Sequence, residues 1–231
     1  MKLGVVRRQL ERLRDALPLS HGRTSFSQEG EDLVLARLFE TRGPGIYVDV
    51  GAHHPRRFSN TLLLYRGGWH GVNIDATPGS MRAFARERAR DINLEMGVTA
   101  TRETRTLYVF DEPALNTFDA TRAKQLDRPP FRLIAEKPIA CAPLHAILAD
   151  HKIRAIDLLS IDVEGLDFDV VQTVDWDVQK PGVVIVEQFT HDIAALLQSE
   201  LHRYMRDRGY ELIAKTFNSL FYMALWYDRR R

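Results

Sequence analysis

Cysteine is nearly absent from this chain: Cys141 is the one instance in 231 residues. A single thiol excludes an intrachain disulfide framework and a cysteine-built zinc centre, and it fits a reducing, cytoplasmic setting. An excess of one charge is missing too. Lys and Arg number 32 against 31 Asp and Glu, a formal net charge of +1. That balance gives no global field for nucleic acid or a membrane surface. Long apolar runs are lacking as well. None approaches the roughly 18 residues that span a bilayer, and the N-terminus shows no signal-peptide apolar region or cleavage site. What remains is a globular composition, 45% hydrophobic and 27% charged. The length suits one domain, or a domain with an added flap.

Residues 3–17 place Leu3, Val6, Leu10, Leu13 and Leu17 at helical spacing, with Arg7, Arg8, Arg12 and Arg14 between them. This predicts an amphipathic helix, joined by a linker to the main domain from about residue 25. The bland role is docking on its own domain; the others are a route to an oligomer, a partner or a membrane surface. Ser27 is expected to cap a helix that ends near Gly43-Pro44. Strands are then expected at 46–50, 71–75 and 92–98. Helices are expected at 60–65, from Pro78 to about Arg90, at 144–149 and at 168–174. Further strands are expected at 156–161 and 182–186. A long helix over 193–208 precedes a hairpin of two strands, 210–215 and 220–226. Residues 99–140, rich in turn signals, read as an insertion or lid. Alternating strand and helix predict an α/β fold: a mostly parallel sheet with helices on both faces, closed by an antiparallel hairpin.

In such a sheet, ligands sit beyond the carboxyl ends of the strands. Those ends carry Asp49, Asp75, Asp162 and Glu187. The first turn, Asp49-Val50-Gly51-Ala52-His53-His54, has one glycine where a dinucleotide loop wants G-x-G-x-x-G. A pyrophosphate is therefore poorly served. S-adenosylmethionine fits better, with an ammonium for Asp49 and a ribose diol for Asp75. Asp75 lies near the spacing of about 20 residues at which a second strand offers such an acid. Each acid also has a structural reading: Asp49 as a turn carboxylate, Asp75 as a helix cap before Pro78.

Asp162-Val163-Glu164-Gly165 follows the fourth strand, and Glu187 ends the next. These carboxylates can orient a hydroxyl, accept its proton or hold a metal. As an all-oxygen set they suit magnesium or manganese rather than zinc. His53, His54 and His191 fall in loops at the same edge, and each is a candidate base. Cys141, between Ala140 and Ala142, reads as a small packed residue.

Six segments, taken in order, carry a resemblance. They are residues 26–33, Tyr47-Val48-Asp49-Val50-Gly51-Ala52, Ser59-Asn60-Thr61, Gly68-Trp69-His70-Gly71 with Asn73-Ile74-Asp75, residues 157–165, and residues 181–187. Together they resemble the FkbM-type family of S-adenosylmethionine-dependent methyltransferases. The resemblance implies a class I methyltransferase fold with a seven-stranded sheet. It implies methyl transfer to a hydroxyl of a sugar, glycan or natural-product acceptor. By position it puts Asp49, Gly51, Ala52 and His53 in the cofactor loop and Asp75 on the ribose. Gln28 and Asn60 line the same cleft, and Asp162 faces the transferring methyl. Glu164, Glu187 and His191 stand in support. Phe118, Phe131 and Arg132 of the 111–140 segment are expected to meet a sugar. The family often has glutamate where this chain has the shorter Asp75, and Gly97-Val98 ends the third strand without an acid for adenine. The competing readings are a nicotinamide-dependent oxidoreductase and a catalytically silent interaction domain.

Overall fold

The computed structural model describes residues 22–189 and 192–228. The helix expected over 3–17, and His191, lie outside them. In chain order the strands are β1 (Ile46–Val50), β2 (His70–Asp75), β3 (Ile92–Glu95), β4 (Gly97–Val98), β5 (Glu103–Phe110), β6 (Leu133–Ala142), β7 (Leu158–Ile161), β8 (Val183–Glu187), β9 (Tyr210–Lys215) and β10 (Ser219–Ala224). The helices are α1 (Glu31–Leu38), α2 (Leu62–Arg66), α3 (Met81–Glu87), α4 (Ala120–Leu126), α5 (Leu144–Asp150), α6 (Asp167–Gln172), α7 (Ile193–Leu197), α8 (Glu200–Asp207) and α9 (Leu225–Asp228).

Seven strands form the central sheet in the order β3-β2-β1-β7-β8-β10-β9. The first five are parallel, and β10 and β9 close the edge antiparallel. This is the α/β architecture expected of the sequence. Every residue of β7 and the first four of β8 are buried. Successive side chains of a strand point to opposite faces, so helices must cover both sides of the sheet here. The chain runs outward from β1 through β2 to β3, then returns to β7 on the other flank of β1. That reversal lies between β1 and β7, where a crevice opens beyond the strand ends.

Several element boundaries differ from expectation, each for a local reason. The first helix starts at Glu31 rather than after Ser27, because Gly30 adopts φ 90° before it. Ser25 and Ser27 instead bind the Asp32 carboxylate (2.7 and 2.9 Å). The single helix expected over 193–208 is two, α7 and α8. Ser199 breaks it by turning its hydroxyl to accept from the His202 amide (3.1 Å). The strand expected over 92–98 divides at Met96: β3 stays in the main sheet and β4 joins a second one.

That second sheet, β4-β6-β5, joins β4 to two strands that lie mostly in the segment read as an insertion. It has a small core of Leu107, Ile139 and Cys141, against which Ala76 and Phe118 pack. Cys141 is 4% exposed, a packed thiol as its neighbours suggested.

Candidate active site

The β1–β7 register sets the first wall. Val50 pairs with Ile161, and the Asp162 amide donates to the Val50 carbonyl (3.0 Å). Gly51 therefore runs against the backbone of Asp162. A Cβ there would lie 1.7 Å from the Asp162 carbonyl oxygen, and its φ is 80°. Only glycine meets both demands.

The loop after β1 spends its amides internally. Gly51 and Ala52 donate to the Ile74 carbonyl (2.9 and 3.1 Å). His53, at φ 53°, donates to Asp75 Oδ2 (2.8 Å). Three successive N–H groups are thus used, and no nest of free amides is left for a pyrophosphate. Thr77 donates to Asp75 Oδ1 (2.7 Å). Each Asp75 oxygen so accepts one bond and keeps a further lone pair for a hydroxyl.

Asp75 stands in the wall of a cleft with Gln28, Gly51, His53, Asp162 and Glu164. Its apolar side is Ile74, Ala76, Met96, Val98, Leu107 and Phe118. Phe118 packs so closely on Gly97 that a Cβ there would sit 2.7 Å from its ring. The cleft is open to solvent, its space of about 840 Å³ including part of that solvent. The second sheet and the 3₁₀ turn Pro113–Leu115 supply part of the wall, and Asn116 bridges Thr77 Oγ1 (2.9 Å) and the Phe110 amide (2.8 Å). Phe131 and Arg132 are not in it.

Asp49, Ala52 and Asn60 stand behind this wall. Ala52 packs on Met81 and Phe84. Asn60 donates to the Ser160 hydroxyl (3.2 Å). Asp49 is buried and accepts from Thr61 Oγ1 (2.8 Å), which in turn accepts from Arg88. Arg88, wholly buried, also pairs with the buried Asp91 (3.3 Å). Burial raises the Asp49 carboxyl above its ordinary range, against the lowering effect of Thr61 and Arg88. Nothing in the composition signals a buried arginine just past the end of α3.

Around Asp162, which lines the cleft, the acids converge. Asp162, Asp167 and Glu187 bring carboxylate oxygens within 4.8 Å of one another. The expected third member, Glu164, turns away to pair with Arg122 of α4. Asp167 takes its place, held by the amides of Val163 (2.9 Å) and Gly165 (3.0 Å). It escaped the sequence reading because an acid in a first helical turn is ordinarily explained by the helix dipole. The only available signal was its position five residues past Asp162.

Burial dominates the electrostatics of this cluster. It pushes Asp162 well above the usual carboxylate range, with Glu187, Asp167, Glu164 and Asp49 adding to the effect. Burial, then Glu164 and Asp167, push Glu187 up to about 8. Burial raises Asp167 to about 6 against the pull of its amide donors. Glu164 is raised by burial despite Arg122. On the far side, burial lowers His53, partly countered by Asp75. The His53 ring stacks on Phe58 at 5.9 Å.

Residues 49–212 match the profile of the Methyltransferase FkbM domain. No curated protein matches the sequence. Among solved structures, the chain is similar to an O-methyltransferase from Bacillus cereus in complex with SAH, at 11% identity and TM-score 0.45 over 93% of this chain and 88% of that one. It is also similar to a precorrin-6y C5,15-methyltransferase from Geobacter metallireducens (13%, TM-score 0.42, 83% and 87%). A third is a TehB-like SAM-dependent methyltransferase from Corynebacterium glutamicum (9%, TM-score 0.42, 94% and 97%). With the profile spanning more than half of its length, the chain belongs to the FkbM family of S-adenosylmethionine-dependent methyltransferases.

Proposed function

We propose that the protein transfers a methyl group from S-adenosylmethionine to a hydroxyl oxygen of a sugar, glycan or natural-product acceptor. The observation that carries this reading is the presence of Asp75 and Asp162 in the wall of one cleft. The residues fit the cofactor. Asp75 keeps acceptor capacity for a ribose diol. The apolar side from Ile74 to Phe118 suits the flat face of adenine. The loop at Gly51 offers a close backbone without free amides for phosphate, which also disfavours a nicotinamide dinucleotide.

When bound, S-adenosylmethionine supplies an electrophilic methyl on a good leaving group. The chain's task is then alignment of the acceptor hydroxyl and removal of its proton. Asp162 carries that role in this reading. Its raised proton affinity suits a group that takes a proton as the new bond forms. Glu187 supports it from the neighbouring strand end. Asp49 and Asn60 act from behind, by fixing the strand ends that shape the loop.

A screen with labelled S-adenosylmethionine tests the proposal against nucleotide sugars, lipid-linked glycans and small polyols. Label is expected on an acceptor oxygen. Transfer confined to amine or thiol acceptors would contradict it.

A further inference from the structure

We propose that residues 111–116 form a strap along the cleft, and that Arg57 is the positioning residue that clasps it and so sets how long the cofactor stays. The proposal rests on the cofactor reading for what the strap retains, and deepens it by naming a residue outside the cofactor contacts.

The first observation is how the segment is held. Phe110 and Thr117 are 1% and 2% exposed, and Thr117 is bridged to Tyr108 by two backbone hydrogen bonds (2.9 and 3.2 Å). Both are firm anchors. None of the six residues between them is buried. A stretch without buried side chains opens at little cost, unlike the strand beside it. Yet Pro113, Ala114 and Asn116 line the cleft.

The second is where its ends are tied. Pro113–Leu115 is a single 3₁₀ turn, with Glu112 as the cap before it and Asn116 as the cap after it. Each cap reaches a different loop of the core. Glu112 accepts both forks of Arg57, Nη1 on Oε1 (3.0 Å) and Nη2 on Oε2 (3.1 Å). Asn116 donates to Thr77 Oγ1 (2.9 Å), and the Thr77 amide is itself held by Asp75 Oδ1 (2.7 Å). The loops that follow β1 and β2 are thus joined through the strap.

The third is strength. The Arg57 and Glu112 side chains are 48% and 32% exposed. An exposed pair shifts an equilibrium by about fivefold at most, and salt screens it. Such a clasp holds without locking, which suits a strap that must release for cofactor exchange. The Arg57 guanidinium also lies 4.3 Å over the ring of Phe58, a residue of the cleft wall held at φ 57°. A bulky residue at positive φ persists only where its surroundings fix it. Clasp and cleft wall therefore move together.

The test uses full-length Arg57→Ala, which removes the clasp and leaves Glu112 capping the Ala114 amide. It is compared with Arg57→Lys and the unaltered protein. Quenched-flow hydrogen exchange without ligand reads the amides of Ala114, Leu115 and Asn116. Stopped-flow displacement reads the release of S-adenosylhomocysteine at low and high sodium chloride. Arg57→Ala is expected to speed both by roughly threefold to fivefold, while the β1 and β7 amides stay protected. Arg57→Lys should fall in between, because it keeps the charge and loses the fork. High salt should speed release from the unaltered protein and leave Arg57→Ala as it was, a response that a merely structural role would not produce. Unchanged exchange at the three amides in Arg57→Ala would overturn the strap. Faster exchange with an unaltered release rate would overturn its hold on the cofactor. A chain that binds no S-adenosylhomocysteine would end the cofactor reading, and exchange would still decide the strap.

Discussion

The two ends of the cleft solve their polar bookkeeping in opposite ways. At the β1–β2 end the loop amides and the Asp75 and Asp49 carboxylates are matched, although Asn73 Oδ1 and the Nε and Nη1 of Arg88 behind them have no hydrogen-bond partner among the described residues. The Gly51, Ala52 and His53 amides have acceptors, Asp75 holds two amides, and Asp49 lies in the Thr61–Arg88–Asp91 chain. At the β7–β8 end, Glu187 Oε2 has no donor among the described residues, and burial raises the proton affinity of Asp162 and Glu187. A satisfied region is rigid before any ligand arrives, so it suits a constant partner such as a cofactor. An unsatisfied one holds charge in reserve for a proton, an ion or an acceptor.

The comparison breaks most severely at Gly51, where the two ends touch. Gly51→Ala forces a Cβ into the Asp162 carbonyl at a left-handed φ. The combined steric and backbone effect should destabilise the fold by about 2–5 kcal/mol. Urea denaturation measures it. A loss below 1 kcal/mol, on the order of an ordinary surface change, would mean the strand ends are not locked together.

Next comes chemistry. Asp162→Asn keeps the shape and removes the charge. Turnover should fall by roughly 10² or more, the scale of a lost general base and equivalent to about 2.7 kcal/mol. Full activity in this variant would move the role to Glu187 or His191.

The smallest effect sharpens the electrostatic half of the contrast. Burial and the neighbouring acids push Glu187 up to about 8, whereas an unfolded glutamate releases its proton near 4.3. Between those values the folded state binds more protons, so stability attributable to this group is present at low pH and falls as pH rises toward 8. His53 opposes this only at lower pH, because its proton affinity is lowered. Glu187→Gln should therefore flatten the decline in melting temperature between about pH 6.5 and 8, by a few degrees. An unchanged pH profile in chelator would show that Glu187 titrates normally.

The same contrast explains what was legible in the sequence. β1, β2, β7 and β8 are nearly continuous apolar runs ending in acids, a pattern that buried parallel strands impose. Their order and the cleft position follow. β6 was hidden because Pro138 interrupts it. The strand tolerates proline there because β4 reaches only Cys141 and Ala142, leaving Pro138 with a neighbour on one side alone. The unsatisfied end was read correctly in kind but not in membership. Which of Glu164 and Asp167 joins Asp162 depends on Arg122, an ion pair across 42 residues of sequence. Local spacing carries no trace of such a contact. Arg88 is opaque for the same reason: its burial depends on Asp91, Thr61 and the rings of Tyr47 and Tyr65 around it.

The division of labour between the two ends is tested most directly by calorimetric titration of S-adenosylhomocysteine into Asp75→Ala and Asp162→Asn, side by side with the unaltered protein. Asp75→Ala should weaken binding by about tenfold or more, since it removes a charged acceptor whose hydrogen bonds are worth roughly 1.5–3 kcal/mol. Asp162→Asn should stay within about twofold. Tight binding to Asp75→Ala together with lost binding to Asp162→Asn would contradict the account, because the cofactor would then sit on the unsatisfied end.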